Sequence, residues 1–201
     1  MGKGHLKLGL LADQWLLNSI AILIARPEVL FYCFASTGQE ERGRYCTRFH
    51  ECGGWRSIYF DDRIPCGFDG NPLFASSSCD MESCVMIIEK GLAKYLGSYG
   101  KLGLCGMRTD APLTSLRMMS GGHVYKLATR DYDWKSVDDD VQGENGFEVC
   151  REFLKEGSLI AFGRSDLMAY MRQPKNESIY RNLPPNGKFF PLVGTIIADG
   201  K

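Results

Sequence analysis

Neither sign of charge dominates this chain: 24 Lys and Arg offset 24 Asp and Glu across 201 residues. Without a basic excess or stripe there is no electrostatic footprint for nucleic acid or for an anionic membrane. Long hydrophobic runs are missing as well. The most apolar stretch, Trp15 to Ala25, is broken by Asn18 and Ser19 and reaches only about half of the roughly 20 residues a bilayer requires. The opening Met1-Gly2-Lys3-Gly4-His5 has too short an apolar follow-on for a secretory signal, and Leu6 stands where a myristoylation motif wants Ser or Thr. The eight cysteines (33, 46, 52, 66, 79, 84, 105 and 150) include no CxxC pair, which removes the usual zinc and thioredoxin signatures. Cys46, His50 and Cys52 carry ligand-type atoms but have no second half at metal-site spacing. Repeats, low-complexity tracts and a GxSxG elbow are also absent. The hydrophobic share is 44%, which excludes disorder. The expectation is a cytoplasmic protein with reduced thiols, association with the cytoskeleton being left open.

What is present is a mixed pattern. Asp13 is placed to cap a helix through Trp15, Leu16, Leu17, Ile20, Leu23 and Ile24, apolar around most of its circumference and stopped by Pro27. Strand-like segments at 45–49 and 55–60 follow, the second ended by Asp61-Asp62-Arg63-Ile64-Pro65. Val85, Ile88, Leu92, Tyr95 and Leu96 recur at helical spacing, with Glu89, Lys90 and Lys94 expected to face outward and Gly97 to close the helix. Six glycines between Gly97 and Gly122 predict a loop. Beyond it come a strand at 123–129, an acidic connection at 136–145, and a short helix with Phe147, Cys150 and Leu154 inward. Buried strands at 158–162 and 189–198 flank a polar excursion at 164–186, with Phe189 and Phe190 filling the core. The expected class is α+β, with a helical half at about 1–122 and a partial, sheet-rich half at about 123–201.

Six segments, taken in order, resemble the protease core of the calpains, papain-like cysteine proteases. Leu8 to Leu17 (LGLLADQWLL) is similar to the family's nucleophile segment QGALGDCWLL, and Asp61 to Pro65 to its DDRLP turn. Pro72 to Ser77 resembles ELLFVHS, and Ile87 to Lys94 resembles LLEKAYAK. Ser120-Gly121-Gly122 with Tyr125 resembles TGG followed by YEL, and Gly157-Ser158-Leu159 the GSL that opens the second half. The resemblance implies a single calpain-like, papain-type domain over 1–201, truncated at its carboxyl end before the family's asparagine segment.

Carried over position by position, the resemblance puts Gln14 at the nucleophile, Leu8 at the oxyanion glutamine, and Lys188 (in Gly187 to Gly194) at the histidine. A cysteine protease needs a thiolate and an imidazole base. An amide is no nucleophile, and a lysine stays protonated near neutrality. Leucine donates nothing to an oxyanion, where one lost donor lowers the rate by about 10²–10³. The expectation is therefore a pseudoprotease, not an enzyme, acting as a binding, scaffolding or regulatory module for a protein or peptide partner, with no nucleic acid and no membrane span. An active calcium-dependent endopeptidase using another thiol, or working within a larger assembly, is the alternative, as is an incomplete fragment without a stable fold. Cys79 and Cys84, with His50 or His123 as partners, are the other thiol–imidazole combinations, read as inert. No cofactor is expected. Calcium remains open through Glu82, but its companion position holds His5, a poor ligand for a cation that prefers oxygen. Asp138, Asp139, Asp140 and Glu144 lack the EF-hand pattern. Trp15, Trp55 and Trp134 read as packing or edge aromatics.

Overall fold

The computed structural model describes residues 6–78, 83–106, 111–125, 127–130, 133–136, 146–163 and 189–192. The chain divides into two units, Met1–Gly122 and His123–Lys201.

The first unit begins with a short strand, Leu6–Lys7 (β1), paired antiparallel to Ser76–Ser77 (β4). Gly9 lies against the Phe74 backbone so tightly that a Cβ would overlap it, and the Leu10 N–H donates to Leu73 O at 2.9 Å. The chain then enters α1 (Gln14–Ile24), which buries every residue from Trp15 to Ile20 together with Ile22 and Leu23. A helix apolar on most sides must be central, and α1 packs on α2 (Pro27–Phe31), α3 (Cys84–Leu96) and α5 (Ala111–Ser120). Pro27 ends one helix and opens the next at its first position, where no N–H is needed. Buried hydroxyls join α1 to α5: Ser19 Oγ and Ser115 Oγ are 2.6 Å apart, and Ser115 donates to Pro112 O.

Arg44–Glu51 (β2) and Gly54–Asp61 (β3) form a regular antiparallel hairpin, Glu51 opposite Gly54. α3 lies on this hairpin through Val85, Ile88 and Leu92. Lys90 clamps the end of β3 by pairing with Asp61 and donating to Asp61 O at 2.9 Å. The expected sheet-rich carboxyl half is corrected in one respect: the longest strands described belong to the first unit. The expected loop over 97–122 is corrected too, since α4 (Tyr99–Cys105) and α5 occupy much of it. Ser98 starts α4 by accepting from the Lys101 N–H, and its glycines are used for close packing rather than for turns. In the second unit, Leu127–Arg130 (β5) pairs with Asp133–Ser136 (β6), and Ile160–Gly163 (β7) with Phe189–Leu192 (β8). Gly146–Lys155 (α6) carries the buried Cys150. The segments 137–145 and 164–188 lie outside the described residues.

Two positions test this packing. A Cβ at Gly91 would overlap Thr47 Oγ1 and come 3.1 Å from Phe60 Cε1, so Gly91→Ala is expected to lose about 2 kcal/mol in urea unfolding by overpacking. The β2–β3 turn puts both Cys52 (φ 49°) and Gly53 (φ 82°) in the left-handed region, the type I′ arrangement that favours Asn-Gly. Cys52→Asn is expected to raise stability by about 1 kcal/mol, read as a higher denaturant midpoint.

Candidate functional site

Three chain segments meet at the amino terminus of α1. β1 and its continuation feed the helix from one side. The segment before β4 runs beside them. α4 closes the third side, where a Cβ at Gly106 would sit 2.5 Å from Ala12 O and 2.9 Å from Trp15 Cδ1, and one at Gly103 2.9 Å from Leu11 Cδ1. These glycines let a helix backbone approach the entry of α1 without a side chain intervening.

Asp13 occupies the N-cap position, yet its side chain makes no capping hydrogen bond, which corrects the expected cap. Its backbone carbonyl instead accepts from the Leu16 and Leu17 N–H groups at 2.8 and 3.3 Å. The carboxylate is fully buried and turned to Glu89, itself 2% exposed. Glu89 was expected on the outer face of its helix and lies inside. It accepts from the Ala75 N–H at 3.1 Å. No N–H or hydroxyl donor among the described residues reaches the Asp13 oxygens. Burial first, and then the bond to Asp13 and its charge, push the Glu89 carboxyl up to about 8. Burial also raises Asp13, against the lowering effect of its bond from Glu89. Burial and the facing carboxyl thus favour the protonated form within this pair, most strongly at Glu89. The signal was present in the sequence: residue 89 lies four after Val85 and three before Leu92, on the apolar face.

Gln14 is the first residue of α1, half-buried, and donates from Nε2 to Asn18 Oδ1 at 3.0 Å. Leu8 is exposed, so no hydrogen-bond donor of a side chain stands at that position. Lys188, Glu82, His5 and Cys79 lie outside the described residues. Trp15 is buried, as core packing requires, and its Nε1 has no partner among the described residues. Trp55 stacks on Tyr32 with ring centroids 6.2 Å apart. The side chains of Trp134, Phe189 and Phe190 are outside the description.

The thiols differ sharply. Cys33 is buried, donates to Met119 O at 3.2 Å, and is pushed up to about 12 by burial. Burial raises the Cys150 thiol as well. Cys46 is buried. Cys84 opens α3 and Cys105 ends α4, both half-buried, while Cys52 and Cys66 are exposed. His50 is half-buried on β2, and His123 is exposed just after α5. Among the described residues no three His, Cys, Asp or Glu side chains are grouped to hold a metal ion, and no helix is long and apolar enough to cross a membrane.

Helices and small two-stranded sheets in this order make a mixed α+β architecture, consistent with a calpain protease core. The family model described as calpain family cysteine protease matches residues 2–176. The chain belongs to the calpain family of cysteine proteases. It is similar to the calpain-type cysteine protease DEK1 of Zea mays, 37% identical over 157 residues, which cover 77% of this chain and 7% of that protein. It is also similar to the calpain-type cysteine protease ADL1 of Oryza sativa subsp. japonica, 32% identical over 157 residues with the same coverage. Calpain-10 of Rattus norvegicus is 29% identical over 160 residues, 76% of this chain and 23% of that one. The chain thus spans less than a quarter of the length of these relatives. The expectation of a chain that is not an enzyme is corrected by this membership, because the matching family and the named relatives are cysteine proteases.

The carboxyl pair sets a pH dependence. Glu89 titrates near 4.5 when unfolded and near 8 when folded, so between those values the native state binds the extra proton and stability falls as pH rises. Glu89→Gln keeps an acceptor for the Ala75 N–H and offers Asp13 a permanent donor. Its unfolding free energy is expected to change much less between pH 5 and 8 than that of the unaltered protein, in denaturant titrations across that range.

Proposed function

We propose that this chain works in calpain-type peptide hydrolysis by holding an extended peptide against the strand that feeds α1. The observation that carries the reading is the β1–β4 sheet. It has two strands, so each keeps an edge unpaired within it, and β1 runs into a segment whose Leu8 and Leu10 are 48% and 82% exposed. A free strand edge pairs readily with an extended peptide, whose backbone supplies affinity and whose alternate side chains meet apolar surface. Such a peptide would run toward the head of α1. There the Gln14 Nε2 is engaged by Asn18, which leaves its carbonyl oxygen to accept from a peptide N–H.

A carboxamide has no ionisable nucleophile. In this reading position 14 orients the peptide, and the thiol that attacks its carbonyl belongs to another residue. Family membership over residues 2–176 supports peptide bonds as the substrate class. The reading uses no cofactor, and no step of it passes through calcium.

Fluorescence anisotropy with a labelled extended peptide rich in apolar residues tests it. Binding with micromolar Kd is expected, weakened at least tenfold by Leu10→Asp and by N-methylation of alternate peptide amides. A cooperatively melting protein that binds the N-methylated and unmodified peptides equally, or neither, overturns the reading.

A further inference from the structure

The odd-numbered residues of β3 turn their backbone groups away from β2. Register fixes this: Glu51 lies opposite Gly54 across a two-residue turn, so Glu51 and Gly54, Phe49 and Arg56, Thr47 and Ile58, and Tyr45 and Phe60 exchange the ladder hydrogen bonds. The same alternation on β2 sends Cys46 O and the Arg48 N–H outward, where the Ala35 N–H and Cys33 O meet them. The far side of β2 is thereby covered. β3 has no third strand beside it, and among the described residues side chains meet its outer row at one end only. Lys94 Nζ donates to Tyr59 O at 2.7 Å and Lys90 Nζ to Asp61 O at 2.9 Å. The N–H and C=O groups of Trp55 and Ser57 have no partner among the described residues, and both residues are exposed. The hairpin pairs without a bulge, so no irregularity twists this edge away from an incoming strand.

Charge says what kind of strand fits. Both carboxylates within 44–61 are taken, Glu51 by Arg56 at 3.0 Å and Asp61 by Lys90. Asp62, one residue past the strand, turns toward Gly43. Lys94, exposed at the edge, has no carboxylate partner among the described residues. Neither has Arg44, whose guanidinium lies over the Tyr59 ring, 4.9 Å from its centroid, and so reaches across to the outer strand. Two unneutralised cations therefore flank the Tyr59 end. The Trp55 end is aromatic, with Tyr32, 61% exposed, stacked on Trp55. A second copy laid antiparallel on this edge would set the cations of each chain against the aromatic end of the other and offer them no free carboxylate.

We propose that the outer edge of β3 takes up an extended acidic segment of another protein as an added strand. Its backbone pairs with Trp55 and Ser57, its carboxylates meet Lys94 and Arg44, and an apolar side chain lies against Trp55 and Tyr32. This edge belongs to a different sheet from β1 and does not depend on the peptide-holding reading given above for that strand.

The test uses the full chain and a fluorescein-labelled peptide of alternating valine and threonine ending in a run of glutamates, read by anisotropy at low salt. Binding at least tenfold tighter than that of the same peptide with lysines for glutamates is expected, as is a loss of at least tenfold on N-methylation of the alternate amides that would face β3. Lys94→Gln, which keeps a donor for Tyr59 O, and Arg44→Gln should each weaken binding by about two- to fivefold, the worth of an exposed ion pair. Ser57→Pro removes an outward N–H and spares the β2–β3 ladder; with its melt unchanged, it should remove most of the binding. Leu10→Asp should not alter the preference for the acidic peptide. Equal binding of acidic and basic peptides, or indifference to N-methylation, overturns the proposal without any variant. A preference that survives both Lys94→Gln and Arg44→Gln overturns it as well. Self-association abolished by Ser57→Pro, or an oligothymidylate that binds more tightly than the peptide, gives the edge another occupant and equally overturns it.

Discussion

Two buried acids, Asp13 and Glu89, face each other at the candidate site, and burial raises the pKa of both. Asp13 stands at the head of α1 and Glu89 in the middle of α3, and the Ala75 N–H anchors Glu89 from the segment that runs beside the entry strand. One ionised carboxylate buried without a partner would be costly, and two facing each other more so. Protonation of one carboxyl removes the repulsion, while both Asp13 oxygens lack any other donor among the described residues. Three parts of the first unit far apart in sequence are thereby tied at the point where α1 begins. The residue that follows Asp13, Gln14, is the first of α1.

Around that point the chain achieves closeness by leaving side chains out. Gly9 presses on the Phe74 backbone, Gly103 and Gly106 let α4 meet Leu11, Ala12 and Trp15, and Gly91 admits Thr47 into α3. None of these four has a positive φ; what they supply is space. The opposite use of glycine appears at Gly53, where the turn itself demands left-handed backbone, and there Cys52 accepts the same geometry with a side chain attached.

Family membership and the identity of residue 14 pull in different directions chemically, and the structure locates the tension. The helix head, its feeding strand and its glycine-lined wall belong to a chain of the calpain family, while the group at the head is an amide bonded to Asn18. The proposed peptide-holding place is the strand edge near Leu8 and Leu10, away from the exposed thiol of Cys52 in the β2–β3 turn.

Local periodicity and turn chemistry were enough to read α1, the two strands of the hairpin, α3 and the stop at Pro27, since each is written in spacing or in a breaker. The ordered motifs from Leu8 to Leu159 were enough to read the family. Composition misled at 97–122, where α4 and α5 form and Gly103 and Gly106 serve helix packing, and at Glu89, where charge suggested solvent. Which way a carboxylate faces, and which thiols are buried, depend on what arrives from elsewhere in the chain: Asp13 and Ala75 for Glu89, and Met119 for Cys33. Amino-acid order alone determined the elements and the lineage, because those follow from neighbours a few residues apart. Only the tertiary structure decided the buried carboxyl pair and which thiols stay accessible, because burial and electrostatic contact are properties of segments brought together over tens of residues.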